Sequence, residues 1–317
     1  NTTTDATCGL ANGSFTVQGV DGTPGYQYST DGGVTWQSSG TFPAIMPGNY
    51  LVNIEDANNC GTTLNVVIND LSGITASISS QSAVSCHGGN DGDVTVLASG
   101  STAPYQYSID GGTIWQAAGF FSTLSAGNNT VISEDANGCQ FPVTVLITEP
   151  TLLLSNVVTS NNTQCYNSCD GNVDISVSGG TSPYVFSWTG PNSFSETIED
   201  VNGLCAGTYD LSVSDVNMCL TTLSVTINEP SEVSITTNFV NSNCGQTDGG
   251  VSVSASGGTI STDYNYEWYQ AGSLIGSTAV FPNLAAGSYD VVVVDDNNCS
   301  ASANQSITDL ASGTASA

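Results

Sequence analysis

The sequence predicts an all-β chain of four tandem antiparallel β-sandwich domains. Three observations carry that prediction: a repeat of about 79 residues written four times, strand-length runs broken by turn signals, and cysteines recurring in step with the repeat. The second copy shows the unit most fully, from Gly100 through Tyr105-Gln-Tyr-Ser-Ile-Asp-Gly-Gly-Thr-Ile-Trp115 to Glu134-Asp-Ala-Asn-Gly-Cys139. The first copy repeats it as Tyr26-Gln-Tyr-Ser-Thr-Asp-Gly-Gly-Val-Thr-Trp36 and ends Glu55-Asp-Ala-Asn-Asn-Cys60. The third and fourth end Asp215-Val-Asn-Met-Cys219 and Asp295-Asp-Asn-Asn-Cys299. The period places the domains at 1–70, 71–150, 151–230 and 231–309, with 310–317 as a tail.

In the second copy, Ile74 to Ile78 reads as a first strand, Asp93 to Leu97 as a second and Tyr105 to Ile109 as a third. Asp110-Gly-Gly supplies a tight turn, because an Asp-Gly pair tolerates the positive φ that such turns require. The chain then returns through Trp115 and continues in strands at Phe120 to Leu124, Thr130 to Ser133 and Phe141 to Thr148. Seven short strands per unit, with no stretch of helical period, argue a two-sheet sandwich. The run Ile/Leu-x-x-Gly-x-Tyr at Ile45 to Tyr50, Leu204 to Tyr209 and Leu284 to Tyr289 has the form of a tyrosine corner, so the sandwiches are expected to be immunoglobulin-like. The second copy carries Asn129 in place of that tyrosine, which predicts a weaker corner. Trp188 and Trp268 continue the alternation of the third strand, whereas Trp36 and Trp115 lie beyond the Asp-Gly-Gly turn; all four are expected to fill similar volumes near the core. Ile147-Thr-Glu-Pro150 and Ile227-Asn-Glu-Pro230 leave no flexible slack between copies, which predicts domains arranged as a stiff rod.

Units this small bury limited apolar surface and usually need crosslinks. Ten cysteines are present. The opening series is Cys8, Cys86, Cys165 and Cys244, and the closing series is Cys60, Cys139, Cys219 and Cys299. Loops of about 53 residues favour pairing within each copy, Cys8 with Cys60, Cys86 with Cys139, Cys165 with Cys219 and Cys244 with Cys299. Spacing alone does not fix connectivity, but the repeat removes most alternatives. Cys169 and Cys205 remain, both in the third copy, and are expected to pair with each other. Such cystines imply an oxidising, extracellular compartment.

The chain has no lysine or arginine, 28 acidic residues and one histidine. Nucleic acid and anionic membranes, which are held by basic side chains, are therefore excluded as partners. No apolar run is long enough to span a bilayer as a helix, so no direct membrane insertion is expected. Proteases that cut after basic residues find no site. Unrelieved acidic repulsion is expected to raise folded-state carboxyl pKa values, so that mild acidification stabilises the fold.

The spacing from each closing cysteine to the next opening one is about 26 residues, and joining Ala317 of one chain to Asn1 of another reproduces it. Asp309-Leu-Ala-Ser-Gly-Thr-Ala-Ser-Ala317 also resembles the first-strand region Asp70 to Ser77. Two arrangements account for this: a window on a longer covalent array, or separate subunits that assemble head-to-tail with the tail of one completing the next.

Gly179-Gly-Thr-Ser-Pro-Tyr184, Ser187-Trp-Thr-Gly-Pro191, Leu204-Cys-Ala-Gly-Thr-Tyr209, Asp215-Val-Asn-Met-Cys219 and Val225-Thr-Ile-Asn-Glu-Pro230 together resemble the SprB repeat. That resemblance covers all four copies. It implies a stalk or filament segment of a very large bacterial surface adhesin, of the kind exported by type IX secretion in gliding bacteria. It implies other copies or neighbouring repeats as partners, and no catalytic role.

The residues offer little chemistry. His87 is the only histidine and stands in a turn without a nucleophile elbow, so it reads as structural. Glu55-Asp56 and Glu134-Asp135 lie at strand ends with neighbours on opposite faces, a poor arrangement for paired acid catalysis. No catalytic, cofactor or zinc site is expected. Calcium is the ion best suited to the acidic turns, through Asn90, Asp91 and Asp93 or Asp170 and Asp174, though the same residues also serve turns for backbone reasons. The alternative to a structural adhesin is thus an extracellular glycan- or calcium-binding module, and exposure of the four tryptophans bears on the glycan reading.

Overall fold

The computed structural model describes residues 1–71 and 73–310. They divide into two compact units, Asn1–Thr151 and Leu152–Ala317. The described residues are strands and turns, with one three-residue 3-10 turn at Pro191–Ser193.

In the first unit, β1 (Thr2–Thr4), β2 (Gly13–Thr16), β3 (Gln27–Ser29), β4 (Thr41–Ile45), β5 (Gly48–Glu55) and β6 (Gly61–Ile68) form the sheets β1-β2-β4 and β3-β5-β6. Next come β7 (Thr75–Ser82), β8 (Gly92–Ser99), β9 (Gln106–Ser108), β10 (Phe120–Leu124), β11 (Gly127–Glu134) and β12 (Gln140–Ile147), in the sheets β7-β8-β10 and β9-β11-β12. Strands one, two and four of each set share one sheet and strands three, five and six the other, all antiparallel. This is the immunoglobulin-like order. Each sandwich of the first unit has six strands instead of seven, because the expected return after Asp-Gly-Gly is reduced to single bridges, Tyr28 to Gln37 and Tyr107 to Gln116.

The second unit keeps the plan and adds a strand. β13 (Leu154–Asn161), β14 (Gly171–Ser178), β15 (Val185–Thr189), β16 (Ser195–Glu196), β17 (Val201–Leu204), β18 (Gly207–Ser214) and β19 (Leu220–Ile227) give β13-β14-β17 and β16-β15-β18-β19. β20 (Ser234–Val240), β21 (Ser242–Asn243), β22 (Gly249–Ser256), β23 (Asn265–Gln270), β24 (Ser273–Gly276), β25 (Val280–Leu284), β26 (Gly287–Val294), β27 (Ser300–Ile307) and β28 (Asp309–Leu310) follow. They form β20-β22-β25 and β24-β23-β26-β27, with β21 and β28 in a short parallel pair.

Alternation along these strands builds four buried clusters, two in each unit. The first centres on Phe15, stacked on Phe42 at 4.9 Å between centroids, with Val52 and Val66. The second gathers Val94, Val96, Tyr107, Val131 and Val145. Trp188 and Trp268 are fully buried at the centres of the other two. Trp36 and Trp115 do not join a core, contrary to expectation. They are half-buried over the glycines of their own turns, and Trp36 Nε1 donates to the Gly33 carbonyl at 3.0 Å. Tyr28 and Tyr107 take the inner positions, their hydroxyls accepting from the amides of Gly19 and Ala98.

The tyrosine corners form as the sequence predicts. Tyr50, Tyr209 and Tyr289 donate to the carbonyls of Met46, Cys205 and Ala285 at 2.8, 2.9 and 2.9 Å. Asn129 reaches the equivalent Ser125 carbonyl at 3.4 Å.

Candidate functional site at the repeat joints

Two carboxylate turns recur in every repeat, one at each end of the last strand. At the closing end, Asp56, Asp135, Asp215 and Asp295 each accept through Oδ1 from the amides two and four residues on, the second being the closing cysteine. Oδ2 then reaches across to the preceding loop, accepting from Thr23 N at 3.0 Å, the Ser101 hydroxyl, Thr181 N at 2.8 Å and Thr259 N at 2.7 Å. The Asp-x-Asn-x-Cys string is therefore a hairpin turn whose aspartate also pins a neighbouring loop.

At the opening end, the residue before each opening cysteine donates its amide to a side-chain oxygen further along the turn: Thr7 to Asn12, Ser85 to Asp91, Gln164 to Asp170 and Asn243 to Asp248. A second acid, from just beyond the last strand, closes the same turn. Asp70, Glu149, Glu229 and Asp309 accept from the amides of Gly9, Gly88, Asn167 and Gly245. His87 contacts Glu149 at 3.2 Å and is exposed, in keeping with a turn residue.

These bonds set the carboxyl chemistry. Hydrogen bonds from the Thr35 hydroxyl and amide and from Ser29 hold Asp31 far below the usual carboxylate range. The Thr23 and Cys60 amides lower Asp56, and Ser85 lowers Asp91. Burial pushes Asp135 and Asp215 up, but donation from Ser101 and the Cys139 amide, and from the Thr181 and Cys219 amides, outweighs it and leaves both lowered. Every resolved aspartate shift is downward, so the expected upward shift from mutual repulsion is corrected: local donors dominate over distant, screened charges. Asp91 and Asp170 are engaged in turn closure, while Asp93 accepts from Ser82 at 2.6 Å and Asp174 from Thr159 at 2.7 Å. Among the described residues no cluster of three or more His, Cys, Asp or Glu is grouped for a metal.

The cystines depart from the expected pairing. Cys8 is bonded to Cys139 and Cys165 to Cys299, across 131 and 134 residues. The pairs Cys8–Cys60, Cys86–Cys139, Cys165–Cys219 and Cys244–Cys299 are thereby replaced. Cys86 and Cys219 are also disulfide-bonded. Cys60 and Cys244 carry exposed free thiols. Cys169–Cys205 forms as the sequence predicts.

The reason is strand length. Cys60 immediately precedes the eight-residue β6, whose far end leads to Asp70, and Asp70 binds the turn beside Cys8. At about 3.4 Å per residue the two cysteines stand roughly 27 Å apart, far beyond bonding reach. An opening cysteine meets instead the closing cysteine of the following repeat. In the second unit Cys165 packs on the cluster around Trp268, Asn297 Nδ2 donates to the Gln164 carbonyl at 3.1 Å, and Cys299 is buried. The length of the last strand, which separates the two cysteines of one copy, was the sequence signal for this shift.

Two-sheet order, tyrosine corners and cystine joints define a tandem β-sandwich repeat protein. The SprB repeat model matches this chain at residues 78–114 and 157–193, in keeping with the resemblance. Against curated protein sequences it has no significant match. Among solved structures it is similar to the three N-terminal domains of the bacteriophage RB49 highly immunogenic outer capsid protein, at 15% identity over 75% of this chain and 99% of that one, with a TM-score of 0.36. It is similar also to the eight N-terminal Ig domains of DSCAM, at 12% identity over 91% and 46% with a TM-score of 0.35. For the insect immune protein hemolin the values are 11%, 97%, 99% and 0.25. No helix among the described residues is long and apolar enough to cross a membrane.

Proposed function

We propose that this chain is a structural and adhesive segment of a large extracellular surface protein, with immunoglobulin-like repeats at 1–70, 71–150, 151–230 and 231–309 serving as a stalk. The observation that carries the reading is the cystine joint, which ties the opening turn of one repeat to the closing turn of the next within each unit. Such a joint transmits tension from repeat to repeat through a covalent bond. The carboxylates and aromatic residues serve turns and cores, so the work assigned to the chain is mechanical and not catalytic. The SprB repeats support placement at a bacterial surface, and the resemblance extends the proposal to type IX export and gliding adhesins. Partners of the same kind, neighbouring repeats or other copies, fit this role; of the four tryptophans, Trp188 and Trp268 are inaccessible to glycans, and Trp36 and Trp115 are half-buried against the glycines of their own turns.

Force spectroscopy tests it. Pulled from its termini, the oxidised chain should extend only by the short stretches outside the cystine loops, whereas a reduced chain should release full repeats. Equal extension before and after reduction would overturn the proposal.

A further inference from the structure

The 28 acidic residues of this chain are unevenly placed among its strands. The edge strands β6, β7, β12, β13, β19, β20 and β27, each first or last in its repeat and at the end of its sheet, hold no aspartate or glutamate. Acids begin one strand in, at Asp93 on β8, Glu134 on β11, Asp174 on β14, Asp210 on β18 and Asp290 on β26. Each of these carboxylates accepts from an uncharged donor on the edge strand beside it. Ser82 donates to Asp93 at 2.6 Å, Gln140 to Glu134, Thr159 to Asp174 and Asn304 to Asp290 at 2.7 Å, and Ser224 to Asp210. The edges are thus free of charge and also cover the nearest charges with hydrogen-bond donors.

Natural sheets commonly guard an open edge with a charged side chain, a proline or a bulge. β12 has Pro142, and β7 and β13 are irregular between Ile78 and Ser80 and between Val157 and Thr159. β6, β19 and β27 have none of these, and each keeps unbroken register with its inner neighbour over eight residues. First and last strands lie alongside each other, so the uncharged surface is wider than one strand. Gln81 Nε2 donates to the Leu146 carbonyl at 3.4 Å in the second repeat, and the Thr237 hydroxyl to Gln305 Oε1 at 2.9 Å in the fourth. Val67, Leu146, Val158, Leu220 and Val240 are exposed on these strands.

Charge selects the occupant. A second copy brings the same formal charge of −28 and no lysine or arginine to offset it. Two such chains approach at least electrostatic cost where neither presents a carboxylate, and main-chain pairing between edges needs no side-chain charge. A basic partner would be drawn instead to the acidic faces and turns. We infer that the open edges β6, β19 and β27 are lateral docking surfaces for the like edges of a second copy, so that stalk segments associate side by side through uncharged strands. Two antiparallel copies of one edge are self-complementary, which closes the contact as a pair. The inference deepens the stalk reading and rests on it.

The test uses the full 317-residue chain with intact cystines and with its thiols capped by iodoacetamide, so that only non-covalent association is read. Sedimentation equilibrium should show pairing that strengthens as ionic strength rises from about 0.01 to 0.15 M, because screening removes residual repulsion between the acidic faces. A triple variant, Thr63→Asp with Thr222→Asp and Ser302→Asp, puts one carboxylate at an exposed position on each open edge. It should weaken pairing at least about tenfold. The control, Ser38→Asp with Thr197→Asp and Ser277→Asp, adds the same charge at exposed positions outside the strands and should pair like the unaltered chain. Circular dichroism of both variants should match the unaltered chain. Equal weakening by both sets, pairing that fades with salt, or a chain that stays monomeric throughout would overturn the inference. So would edge-dependent retention of a monomeric chain on uncharged polysaccharide beads, which would assign the edges to glycan. A digest of the same samples reports Cys8–Cys139 and Cys165–Cys299. If these are present while copies fail to pair, only the lateral surface falls; if cysteines of a single repeat are bonded instead, the stalk reading falls with it.

Discussion

The two units solve the same packing problem differently. In the second, the third strand of each sandwich runs on past the core, places Trp188 or Trp268 at its centre and folds back through β16 or β24. In the first, the strand stops after Ser29 or Ser108, and a carboxylate turn takes over. Asp31 Oδ1 accepts from Val34 and Thr35 amides while Gly33 N donates to Ser29, and Asp110 with Ser108 repeats the arrangement. The tryptophan is displaced to a cover over that turn, and Phe15 on Phe42 recovers the lost volume in the first repeat. One topology thus tolerates exchange of a large core side chain for a hydrogen-bonded turn, provided that volume is restored from a facing strand.

The sharpest way to break this comparison is to truncate the tryptophans. Trp268→Ala should destabilise the second unit by about 3–5 kcal/mol in denaturant unfolding, as expected for a fully buried aromatic. Trp115→Ala should cost less than about 1 kcal/mol, because that ring caps a surface turn. Equal losses would remove the distinction between the two designs.

The corners offer a smaller contrast. Tyr209→Phe should cost about 1 kcal/mol by deleting the bond to the Cys205 carbonyl, and Tyr289→Phe about as much. Asn129→Tyr should move the second repeat the other way, raising its melting temperature toward that of a repeat with an intact corner. A neutral Asn129→Tyr would show that β11 has adapted to its absence.

The smallest effect is that of pH near neutrality. Asp31, Asp56, Asp91, Asp110 and Asp135 in the first unit, and Asp170, Asp215, Asp248 and Asp296 in the second, have folded pKa values below their ordinary ones. Groups lowered on folding contribute stability that is complete above the unfolded value, about 3.9, and is withdrawn as pH falls through the folded values. The melting temperature should therefore stay level from pH 7 to 5 and decline below about pH 4. Asp31→Asn should soften that decline in the first unit more than Asp296→Asn does in the second. A rise in stability between pH 7 and 5 would restore charge repulsion as the controlling term.

The sandwich plan was legible because strand alternation, Asp-Gly turns and the Ile/Leu-x-x-Gly-x-Tyr string are local, and local geometry is written in neighbouring residues. Tyr50, Tyr209 and Tyr289 could be placed to the hydrogen bond on that basis. The fates of Trp36 and Trp115 were not, because whether a chain returns as a strand after Asp-Gly-Gly depends on Ser29 and Asp31 capturing the amides of the turn. Cysteine connectivity failed for another reason. Loops of nearly equal length suit either pairing, and only the length of β6 between Cys60 and Asp70 separates the ends. Of the tail at 310–317, Leu310 pairs with Asn243 in β28, and 311–317 lie outside the described residues.

The long reach of the cystines also bears on durability. Because Cys8–Cys139 and Cys165–Cys299 each enclose more than a hundred residues, one nick anywhere inside such a loop leaves the two fragments bound to each other. A strand of this material can be scored without parting, much as a link of chain mail survives a scratch.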